Sequence, residues 1–563
     1  MSEAPAEPVS EEHAPRAGAP TDLSGSIAPA LTEAQWLRLE EYGDPVDRAV
    51  GDVLFEAGQQ WYPVVLVDSG AISVVRPRTE WLEEAAVAEY GPRTFVGELG
   101  ALSGQRAFLT ARVRLPGRML RIDTASLRRL MRDDDELAEL LLRTFWARRQ
   151  RLAHGPAELT IKIVGPADSR GVLSLRTFAH RFQLAHSWSE TDPEIEKLDL
   201  DHHDFPVALV QGEPLLNATP GTLSQKIGLS YAEAEDSTVD LAVVGAGPSG
   251  LAAAIYGASE GLTTVLLDRV APGGQAATTS RIENYLGFPF GVSGDELTGL
   301  AQLQAIKFGV RIFAPCEITS LSVERNRIVL PLTEGAEVHA RSVIIATGVT
   351  YRTLPLDRWA QFEGAGIFYA ATPLETKEVE GSRVVVIGGA NSAGQAALYL
   401  AAHACQVHLV VRGSSLADSM SSYLLDRIDD DPNIEVHVDT EVVAVGGESE
   451  LETVTLSTGQ VLASRGLFCF IGAEPSTEWV PTIETDEQGF VVTGPDVSPA
   501  AVAHAHETLG RSPLPFESSV PLVFAVGDVR HGSMKRVAAA VGEGSSAVAS
   551  VHRALTFSST LRR

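Results

Sequence analysis

Apolar and polar positions alternate with different periods along the chain, and these periods divide it into three segments. In the first, residues 31–41 and 126–151 repeat apolar positions at the i, i+3 and i+4 spacings of a helix, as at Leu127, Leu130 and Met131. Short β-like runs punctuated by glycine lie between these two stretches. The pattern predicts a small β-barrel with helical arms over residues 31–153.

The second segment, residues 158–229, mixes strand-like and helix-like periods. Its predicted elements are a strand, a helix and two further strands, at residues 159–164, 171–182, 186–189 and 204–210. His202 and His203 lie in a polar stretch just before the last strand. No other ligand spacing accompanies them, so we interpret this stretch as a solvated loop and predict no metal site in the chain.

The third segment begins at residue 237 and carries the strongest pattern: strand, glycine-rich turn, helix, strand and acid. Gly245 makes the turn, Gly247 lets a pyrophosphate approach the backbone, and Gly250 lets the helix pack closely. Asp268 ends the second strand, where it is placed to bind a ribose hydroxyl. The candidate residues of this dinucleotide-binding unit are Gly245, Gly247, Pro248, Ser249, Gly250 and Asp268.

A second unit of the same kind begins 143 residues later, with a strand at residues 383–387 and a helix after the turn. Its candidate residues are Gly388, Gly389, Ala390, Asn391 and Ser392. Ala390 replaces the central glycine, and its methyl group crowds the pyrophosphate position, so we expect weaker binding. Two such units imply two dinucleotides, typically a flavin and a nicotinamide that meet for hydride transfer.

Composition narrows the classes of partner. The chain has 563 residues, enough for roughly three or four domains, and its formal net charge of −28 disfavours nucleic acid and anionic membranes. Residues 1–30 are rich in Ala, Pro, Glu and Ser and predict a disordered tail without a secretory signal. Three separated cysteines, without a Cys-x-x-Cys pair, indicate buried reduced thiols and a cytoplasmic location.

Residues 237–556 resemble the thioredoxin reductase group of pyridine nucleotide-disulfide oxidoreductases, through motifs such as Gly273-Gly274-Gln275 and Gly527-Asp528-Val529. The resemblance implies an α/β fold with a homodimeric assembly and three regions: FAD at 237–361, NAD(P)H at 362–469 and FAD at 470–563. Further FAD residues that it implies are Gly274, Gln275, Asn284, Thr347, Gly348, Gly527, Asp528, Arg536 and Val537.

Three positions depart from that family. Ala370 and Pro373 take the places of the two redox cysteines, and Leu374 takes the place of the acid that follows them. No catalytic residue is therefore identified, and electrons are expected to leave FAD for a small-molecule or protein acceptor that is not a thiol. The neighbouring Phe368 and Tyr369 either shape access to the flavin or simply pack.

Two further residues bear on the cofactors. In the phosphate-reading loop only Arg412 remains of the family's arginines, which favours NADPH while leaving NADH open. His531, just after the Gly527-Asp528-Val529 motif, is a candidate proton partner. Without a disulfide, the domain rotation known in the family is expected to be lost, or to open the flavin to another acceptor.

The first segment resembles a cyclic nucleotide-binding domain through Phe95-Val96-Gly97-Glu98-Leu99-Gly100 and the following Gln105-Arg106-Ala107. That family uses such a glutamate for the ribose and such an arginine for the phosphate, which here are Glu98 and Arg106. Their separation of eight residues is slightly short. Binding of a cyclic nucleotide and a degenerate domain that only packs or dimerises both remain open.

The second segment resembles a glutaredoxin- or thioredoxin-like domain without cysteines, in which the proline of Phe205-Pro206-Val207 would be cis. Taken together, the resemblances predict an FAD-dependent NAD(P)H oxidoreductase with two Rossmann-like domains, preceded by a cyclic-nucleotide-binding β-barrel and a thioredoxin-like α/β domain. The acceptor would be a quinone, ferredoxin, flavodoxin or oxygen. The alternatives are a redox- and cyclic-nucleotide-sensing regulator, or a thioredoxin-disulfide reductase that uses a partner's thiols.

Overall fold

The structure is a computed structural model that describes most of residues 27–560. Outside the described residues lie 1–26, 79–82, 154–160, 167–168, 194, 198–199, 201–203, 232–237, 279–281, 283–284, 325–326, 364, 370, 372–374, 377–378, 418, 449 and 561–563. The predictions at His202, His203, Asn284, Ala370, Pro373 and Leu374 therefore lie outside the described residues. Within the described ranges, no helix has both the length and the apolar character needed to cross a membrane.

Two four-stranded antiparallel sheets flanked by helices form the first segment, for which the sequence predicts a small β-barrel with helical arms. The strands are β1 (Asp44–Arg48), β2 (Val53–Phe55), β3 (Val64–Val67), β4 (Ala71–Arg76), β5 (Ala85–Tyr90), β6 (Phe95–Val96), β7 (Thr110–Leu115) and β8 (Gly117–Ile122). The helices are α1 (Glu33–Glu40), α2 (Gly100–Ser103), α3 (Thr124–Asp133) and α4 (Asp135–Ala153). The sheet orders are β1-β8-β3-β6 and β2-β7-β4-β5.

The helical period over residues 126–151 is divided between α3 and α4. Asp134 separates them with extended backbone angles of φ −135° and ψ +97°. Its Oδ1 accepts a hydrogen bond from the N–H of Leu137 at 3.0 Å, which caps the start of α4. An aspartate that caps a helix ends the preceding one without interrupting the apolar period.

The second segment is a mixed sheet with helices. Its elements are β9 (Ile161–Val164), α5 (Arg170–Arg181), β10 (His186–Ser189), β11 (Val207–Val210), β12 (Glu213–Leu215) and α6 (Pro220–Ile227). The strand order is β10-β9-β11-β12, with β10 parallel and β11 antiparallel to β9. The Phe205–Pro206 peptide bond is cis. The predicted order of elements is observed, while the thioredoxin-like assignment stays a prediction.

A largely parallel sheet forms the core of the third segment. Its strands are β13 (Val239–Val244), β14 (Thr264–Leu267), β15 (Arg311–Phe313), β16 (Ser322–Glu324), β17 (Arg327–Pro331), β18 (Glu337–Ile345) and, near the end of the chain, β29 (Val523–Ala525). The order is β15-β14-β13-β18-β17-β16, and β29 pairs with β18. The helices beside it are α7 (Pro248–Ser259), α8 (Gly294–Lys307) and α13 (Val537–Thr560).

An inserted unit interrupts this domain. Its strands are β20 (Ile367–Phe368), β21 (Arg383–Ile387), β22 (Gln406–Val410), β23 (Ile434–His437), β24 (Val442–Gly446), β25 (Thr453–Leu456), β26 (Val461–Ala463) and β27 (Gly466–Cys469). Its helices are α9 (Trp359–Phe362), α10 (Asn391–Ala402) and α11 (Ser422–Asp429). A parallel sheet in the order β20-β27-β21-β22-β23 packs beside the antiparallel sheet β24-β25-β26.

The chain enters and leaves the inserted unit through a two-stranded antiparallel ribbon, β19 (Val349–Tyr351) and β28 (Ala473–Pro475). The remaining helix of the described residues, α12 (Pro499–Leu509), follows this ribbon. The two parallel sheets, each with a glycine-rich turn after its first long strand, confirm the predicted pair of Rossmann-like domains. The boundaries of the inserted unit at 361–362 and 469–470 stay predictions.

A single cluster of buried apolar residues runs through the first segment, the second segment and one face of the β13–β18 sheet. Leu127, Phe178 and Leu303 represent the three parts, with exposures of 0%, 1% and 8%. Burial of such side chains is the main stabilising contribution to folding. The N-terminal units therefore pack directly against the first dinucleotide-binding domain.

Candidate functional site

The first glycine-rich turn connects β13 to α7. Gly245 has φ of +102°, and a Cβ atom there would lie 2.3 Å from the carbonyl oxygen of Ala346. A Cβ atom on Gly250 would lie 1.8 Å from the carbonyl oxygen of Gly245. Both positions therefore require glycine, and the turn directs the N-terminus of α7 toward the space in front of it.

That space fits the pyrophosphate of FAD. Gly247 is the N-cap of α7, and a Cβ atom on it would have the Cα of Gly274 as its nearest neighbour, at 3.9 Å. Gly274 faces Gly247 with φ of +55°. Since neither residue has a side chain, the first N–H groups of α7 are open to phosphate oxygens, and the helix dipole favours their negative charge.

Asp268, which follows β14, stabilises this turn with a partly buried carboxylate. Its Oδ2 accepts a hydrogen bond from the N–H of Ala246 at 2.7 Å, and its Oδ1 accepts from Val270 and Ala271 at 2.9 Å each. Burial raises the pKa of the Asp268 carboxyl, although these bonds and the charge of Arg181 oppose the rise. A carboxylate has about four acceptor positions, so one remains for the predicted ribose hydroxyl.

Residues predicted on the flavin side are connected to the interdomain ribbon. The Nε2 of Gln275 donates to the carbonyl oxygen of Val349 at 2.6 Å. The Oγ1 of Thr347 donates to the carbonyl oxygen of Ser476 at 2.8 Å, and Gly348 next to it has φ of +66°. The flavin region and the connection to the inserted unit are therefore held in one hydrogen-bonded group.

Asp528 approaches the same region from the C-terminal part of the chain. The preceding Gly527 donates its N–H to Oε2 of Glu543 at 2.7 Å, which connects the motif to α13. Burial raises the pKa of the half-buried Asp528 carboxyl, and Glu543 adds to the rise while Lys535 opposes it. Arg536 and Val537 lie at the start of α13, on the same side.

His531 has a carboxylate partner. Its Nδ1 lies 2.6 Å from Oδ2 of Asp486, and its side chain is about half exposed. Burial raises the pKa of the Asp486 carboxyl, but hydrogen bonds from His531 and from the backbone of Phe490 and Gln488 outweigh it, and the net shift is downward. The predicted proton partner is therefore a paired histidine at the surface.

The second glycine-rich turn connects β21 to α10 and is covered by the chain that follows β22. Gly388 has φ of +141°, and a Cβ atom there would lie 2.6 Å from the carbonyl oxygen of Phe470. Ser419 donates its Oγ to the carbonyl oxygen of Gly389 at 2.9 Å, and Asn391 Oδ1 accepts the N–H of Ser421 at 2.8 Å. The covering segment thus contacts both sides of the turn.

Ala390 is the N-cap of α10 and has no side chain that could cap the helix. Ser392 follows it in the first turn of α10, and Arg412 lies exposed two residues after the end of β22. The site can hold a dinucleotide through the α10 N-terminus and one guanidinium group. These are the groups that the sequence predicts for NADPH.

Phe368 and Tyr369, which precede the positions that the resemblance assigns to redox cysteines, have different surroundings. Phe368 is buried against Phe468, with ring centroids 5.2 Å apart. Tyr369 accepts a hydrogen bond from the Nε1 of Trp359 at 3.0 Å and donates one to Oε1 of Glu363 at 2.5 Å. Burial and the bond to Glu363 raise the pKa of Tyr369 well above its ordinary value.

Tyr369 also stacks on the interdomain ribbon. Its ring lies parallel to that of Tyr351 on β19, with an interplanar angle of 2° and a centroid separation of 5.4 Å. Burial and the charge of Asp528 raise the pKa of Tyr351. Tyr351 therefore lies between Asp528 of the first domain and Tyr369 of the inserted unit. Its place three residues beyond Gly348, on the strand leading into the insertion, is the sequence signal that could have identified it.

The three cysteines are free, buried thiols. Cys316, Cys405 and Cys469 are all buried, and burial raises the pKa of each thiol, to about 12 for Cys316 and about 11 for Cys469. Cys469 lies on β27, and its Sγ is 3.8 Å from the carbonyl oxygen of Arg352. These properties describe structural thiols, as the sequence predicts.

Residues 95–107 of the first segment form the cassette that contains Glu98 and Arg106. The Glu98 carboxylate is already hydrogen-bonded by neighbouring groups. It accepts hydrogen bonds from the hydroxyl of Tyr62, from the N–H of Gly100 at 2.9 Å and from Arg149 Nη2 at 3.2 Å. Burial and the Glu98 charge raise the pKa of Tyr62 well above its ordinary value. Tyr62 and Arg149 are distant in sequence from the cassette, so the motif alone could not reveal them.

Arg106 lies at a different place, against the second segment. Its N–H donates to the carbonyl oxygen of Ile227 at 2.8 Å, and its Nη1 donates to that of Gly58 at 3.4 Å. Gln211 Nε2 donates to the carbonyl oxygen of the next residue, Ala107, at 2.8 Å. A cavity of about 90 Å³ at this junction is lined by Arg106, Gln211 and Lys226, among others.

The second segment in turn contacts the first dinucleotide domain. Ser224 Oγ donates to the carbonyl oxygen of Ala314 at 2.8 Å. His180 Nε2 lies 3.0 Å from Oδ2 of Asp295 at the start of α8. Direct polar contacts therefore run from the cassette through the second segment to the domain that carries Gly245 and Asp268.

Comparison with known proteins matches this architecture. The family described as pyridine nucleotide-disulphide oxidoreductase matches residues 239–544, and the cyclic nucleotide-binding domain matches residues 48–134. The first match covers more than half of the chain. The chain is thus an FAD-dependent oxidoreductase of thioredoxin reductase-like fold with an N-terminal cyclic nucleotide-binding domain. It belongs to the pyridine nucleotide-disulphide oxidoreductase family.

Individual relatives match a similar share of the chain. NADPH-dependent thioredoxin reductase 3 of Arabidopsis thaliana is 33% identical over 339 residues, which are 57% of this chain and 59% of that protein. Thioredoxin reductase of Treponema pallidum is 32% identical over 333 residues, 58% of this chain and 99% of that protein. The crystal structure of Lactococcus lactis thioredoxin reductase, 28% identical, covers 57% of this chain and 99% of its own, with a TM-score of 0.46.

Proposed function

We propose that the chain transfers electrons from NADPH through FAD to an acceptor that is not a disulfide. The observation that supports this is the state of the thiols. Ala370 and Pro373 stand where the resemblance implies redox cysteines, and the three cysteines present are buried with raised pKa values. A thiol relay needs an accessible thiolate, whereas bound FAD accepts a hydride and releases electrons without one.

The proposed binding roles follow from the two turns. In the first domain the α7 N-terminus would hold the pyrophosphate, while Asp268 and Asp528 would receive ribose and ribityl hydroxyls. In the inserted unit the α10 N-terminus would hold the second pyrophosphate, and Arg412 would pair with the 2′-phosphate that distinguishes NADPH from NADH. The homodimer implied by the resemblance is part of the same proposal.

The tyrosine stack bears on how the inserted unit moves. Tyr351 lies on the ribbon and Tyr369 on the inserted unit, so a rotation of the unit about the ribbon would separate their rings. With no disulfide to exchange for the nicotinamide, such a rotation has no evident use. We therefore interpret the stack, with the Trp359 and Glu363 hydrogen bonds, as favouring one orientation.

The test compares acceptors. The FAD-loaded protein is given NADPH together with a quinone, ferricyanide or oxidised thioredoxin, and the rate of NADPH oxidation is measured. We expect turnover with a non-thiol acceptor and none above background with thioredoxin. The matched variant Ala370→Cys/Pro373→Cys restores the cysteine spacing and asks whether the pair alone restores thiol chemistry. Reduction of thioredoxin by the unmodified chain at a comparable rate would contradict the proposal.

Cyclic-nucleotide regulation is a second candidate function, supported by the contacts of Arg106. Because its backbone is bonded to Ile227 and Gln211 bonds the adjacent Ala107, a ligand drawn to Arg106 would act on the second segment, which serves as an adaptor to the first domain. The test measures turnover and binding with cyclic AMP and cyclic GMP. Unchanged turnover despite proven binding would exclude gating, and retained binding in Arg106→Ala would exclude that residue.

A further inference from the structure

Two histidines and a glutamate meet on one face of the inserted unit, and none of the three is assigned to a cofactor. His408 lies on β22, and Glu435 and His437 lie on the neighbouring edge strand β23. The parallel register pairs His408 with Glu435 and Val410 with His437. Because side chains two residues apart on a strand share a face, all three point to the same side of the sheet.

The distances within this triad are short. His408 Nδ1 lies 3.0 Å from His437 Nε2. One carboxylate oxygen of Glu435 lies 3.4 Å from His408 Nδ1, and the other lies 3.7 Å from His437 Nε2. The side chains of both histidines are 12% exposed, whereas that of Glu435 is 63% exposed. The three groups therefore converge on one point at the edge of the sheet.

This spacing is that of a metal coordination shell. Two ligands of a tetrahedral zinc ion, each bound at about 2.0–2.1 Å, lie roughly 3.3 Å from each other. The three observed separations bracket that value. Imidazole with one carboxylate is a donor set that suits zinc and other divalent ions of the late first transition series, and water can fill the open position. Among the described residues, this is the group of such side chains that converges closely enough to hold a metal ion.

The chain contains a matched sequence without this geometry. Glu337 and His339 on β18 have the same Glu-x-His spacing as the triad, and His339 Nε2 lies 3.3 Å from Glu337 Oε2. On the adjacent strand, however, the group facing His339 Nδ1 is the Arg327 guanidinium, at 3.4 Å. A cation there repels a metal ion, so this pair is an internal control.

We propose that His408, Glu435 and His437 form a binding site for one divalent transition-metal ion, with zinc as the representative of the class. The ion would join the edge strand β23 to β22, whose continuation leads into Arg412. The site does not depend on the proposed electron acceptor, since none of its residues belongs to the cofactor sites.

The test uses the FAD-loaded full chain after treatment with a chelator. Zinc is titrated in competition with a chromophoric chelator, and cobalt is added separately to record the visible d–d absorption of the bound ion. We expect one zinc per chain. His408→Gln and His437→Gln should each weaken binding by roughly 100-fold or more, while His339→Gln should leave it unchanged.

Glu435→Gln guards against a folding artefact, because this exposed side chain tolerates substitution. It should weaken zinc binding by about 10-fold with an unchanged flavin spectrum. The proposal is overturned if the unmodified chain binds no zinc at the concentration of the competitor. It is also overturned if His408→Gln and Glu435→Gln both bind zinc as tightly as the unmodified chain does.

Discussion

The two glycine-rich turns of this chain begin alike and are completed differently. The first is closed by glycine at all three motif positions and stabilised by the Asp268 carboxylate, which accepts three backbone N–H groups. The second keeps glycine at the first motif position, Gly388, and has Ala390 and Ala393 at the second and third. Its stabilising contacts come from hydroxyl and amide groups of the segment after β22.

This difference shows which motif positions must be glycine for steric reasons and which can accept a methyl group. Gly245 and Gly388 both have positive φ angles and carbonyl oxygens at 2.3 and 2.6 Å from a Cβ position, so neither turn forms without them. Beyond that point the first turn has no room for a methyl group at Gly250, whereas the second already holds one at Ala393. We therefore expect the first turn to hold its cofactor more tightly than the second turn holds the nicotinamide nucleotide.

The largest expected effect is that of Gly250→Ala. The added methyl group would lie 1.8 Å from the Gly245 carbonyl oxygen, so the helix must move away from the turn. We expect a destabilisation of about 3 kcal/mol and loss of most bound FAD, measured as the ratio of flavin to protein absorbance. Ala393→Gly in the second turn is the control and should retain FAD. Equal retention in both variants would remove the distinction between the turns.

Arg412→Ala should have the next largest effect. It removes the predicted partner of the 2′-phosphate and should raise KM for NADPH by roughly 10- to 100-fold, since a charge-assisted pair contributes about 1.5–3 kcal/mol. KM for NADH, which lacks that phosphate, should stay the same. A parallel rise for both nucleotides would show that Arg412 acts on the fold of the turn instead.

Ala390→Gly should strengthen NADPH binding at the second turn. Removing the methyl group opens the α10 N-terminus to the pyrophosphate, so NADPH affinity should rise by roughly 5-fold, or about 1 kcal/mol. Equilibrium titration of flavin-free protein with NADPH measures this change. An unchanged or lower affinity would show that Ala390 does not obstruct the site.

The smallest effect concerns the contact between the second segment and the first domain. The hydrogen bond to Asp295 raises the pKa of His180, and burial opposes the rise. A raised folded-state pKa means that this contact stabilises fully below the unfolded value near 6.5, and that the stabilisation is lost as pH rises through the folded value. Because both side chains are substantially exposed, its contribution is below about 0.5 kcal/mol.

The measurement is the temperature of flavin release at pH 6 and pH 9. His180→Gln should lower it at pH 6 and leave it unchanged at pH 9. Asp295→Asn should abolish the same pH dependence, and a larger loss at pH 9 than at pH 6 would contradict this assignment.

Much of the fold could be predicted because its signals are local. The runs predicted as strands at 239–244 and 383–387 coincide with β13 and β21. In each, a run rich in β-branched residues is followed directly by a glycine that marks the end of the strand. The break at Asp134 was missed because the apolar period continues across it.

Several contacts of the candidate site join residues that are distant in sequence. Pairings that form only through strand register or domain packing cannot be read from the sequence, even where one partner, as Tyr351, follows a recognisable motif. The Glu98 contacts with Tyr62 and Arg149, the Tyr351–Tyr369 stack and the His408–His437 pair are separated by 18 to 51 residues. Their geometry follows from the tertiary structure.

An anaerobic titration with NADPH decides whether electrons leave the flavin without a thiol relay. We expect flavin bleaching to be complete at about one NADPH per FAD, and alkylation of the reduced protein to leave turnover with a quinone unchanged. Consumption of about two equivalents, or loss of turnover on alkylation, would reveal a second two-electron group and contradict the proposal.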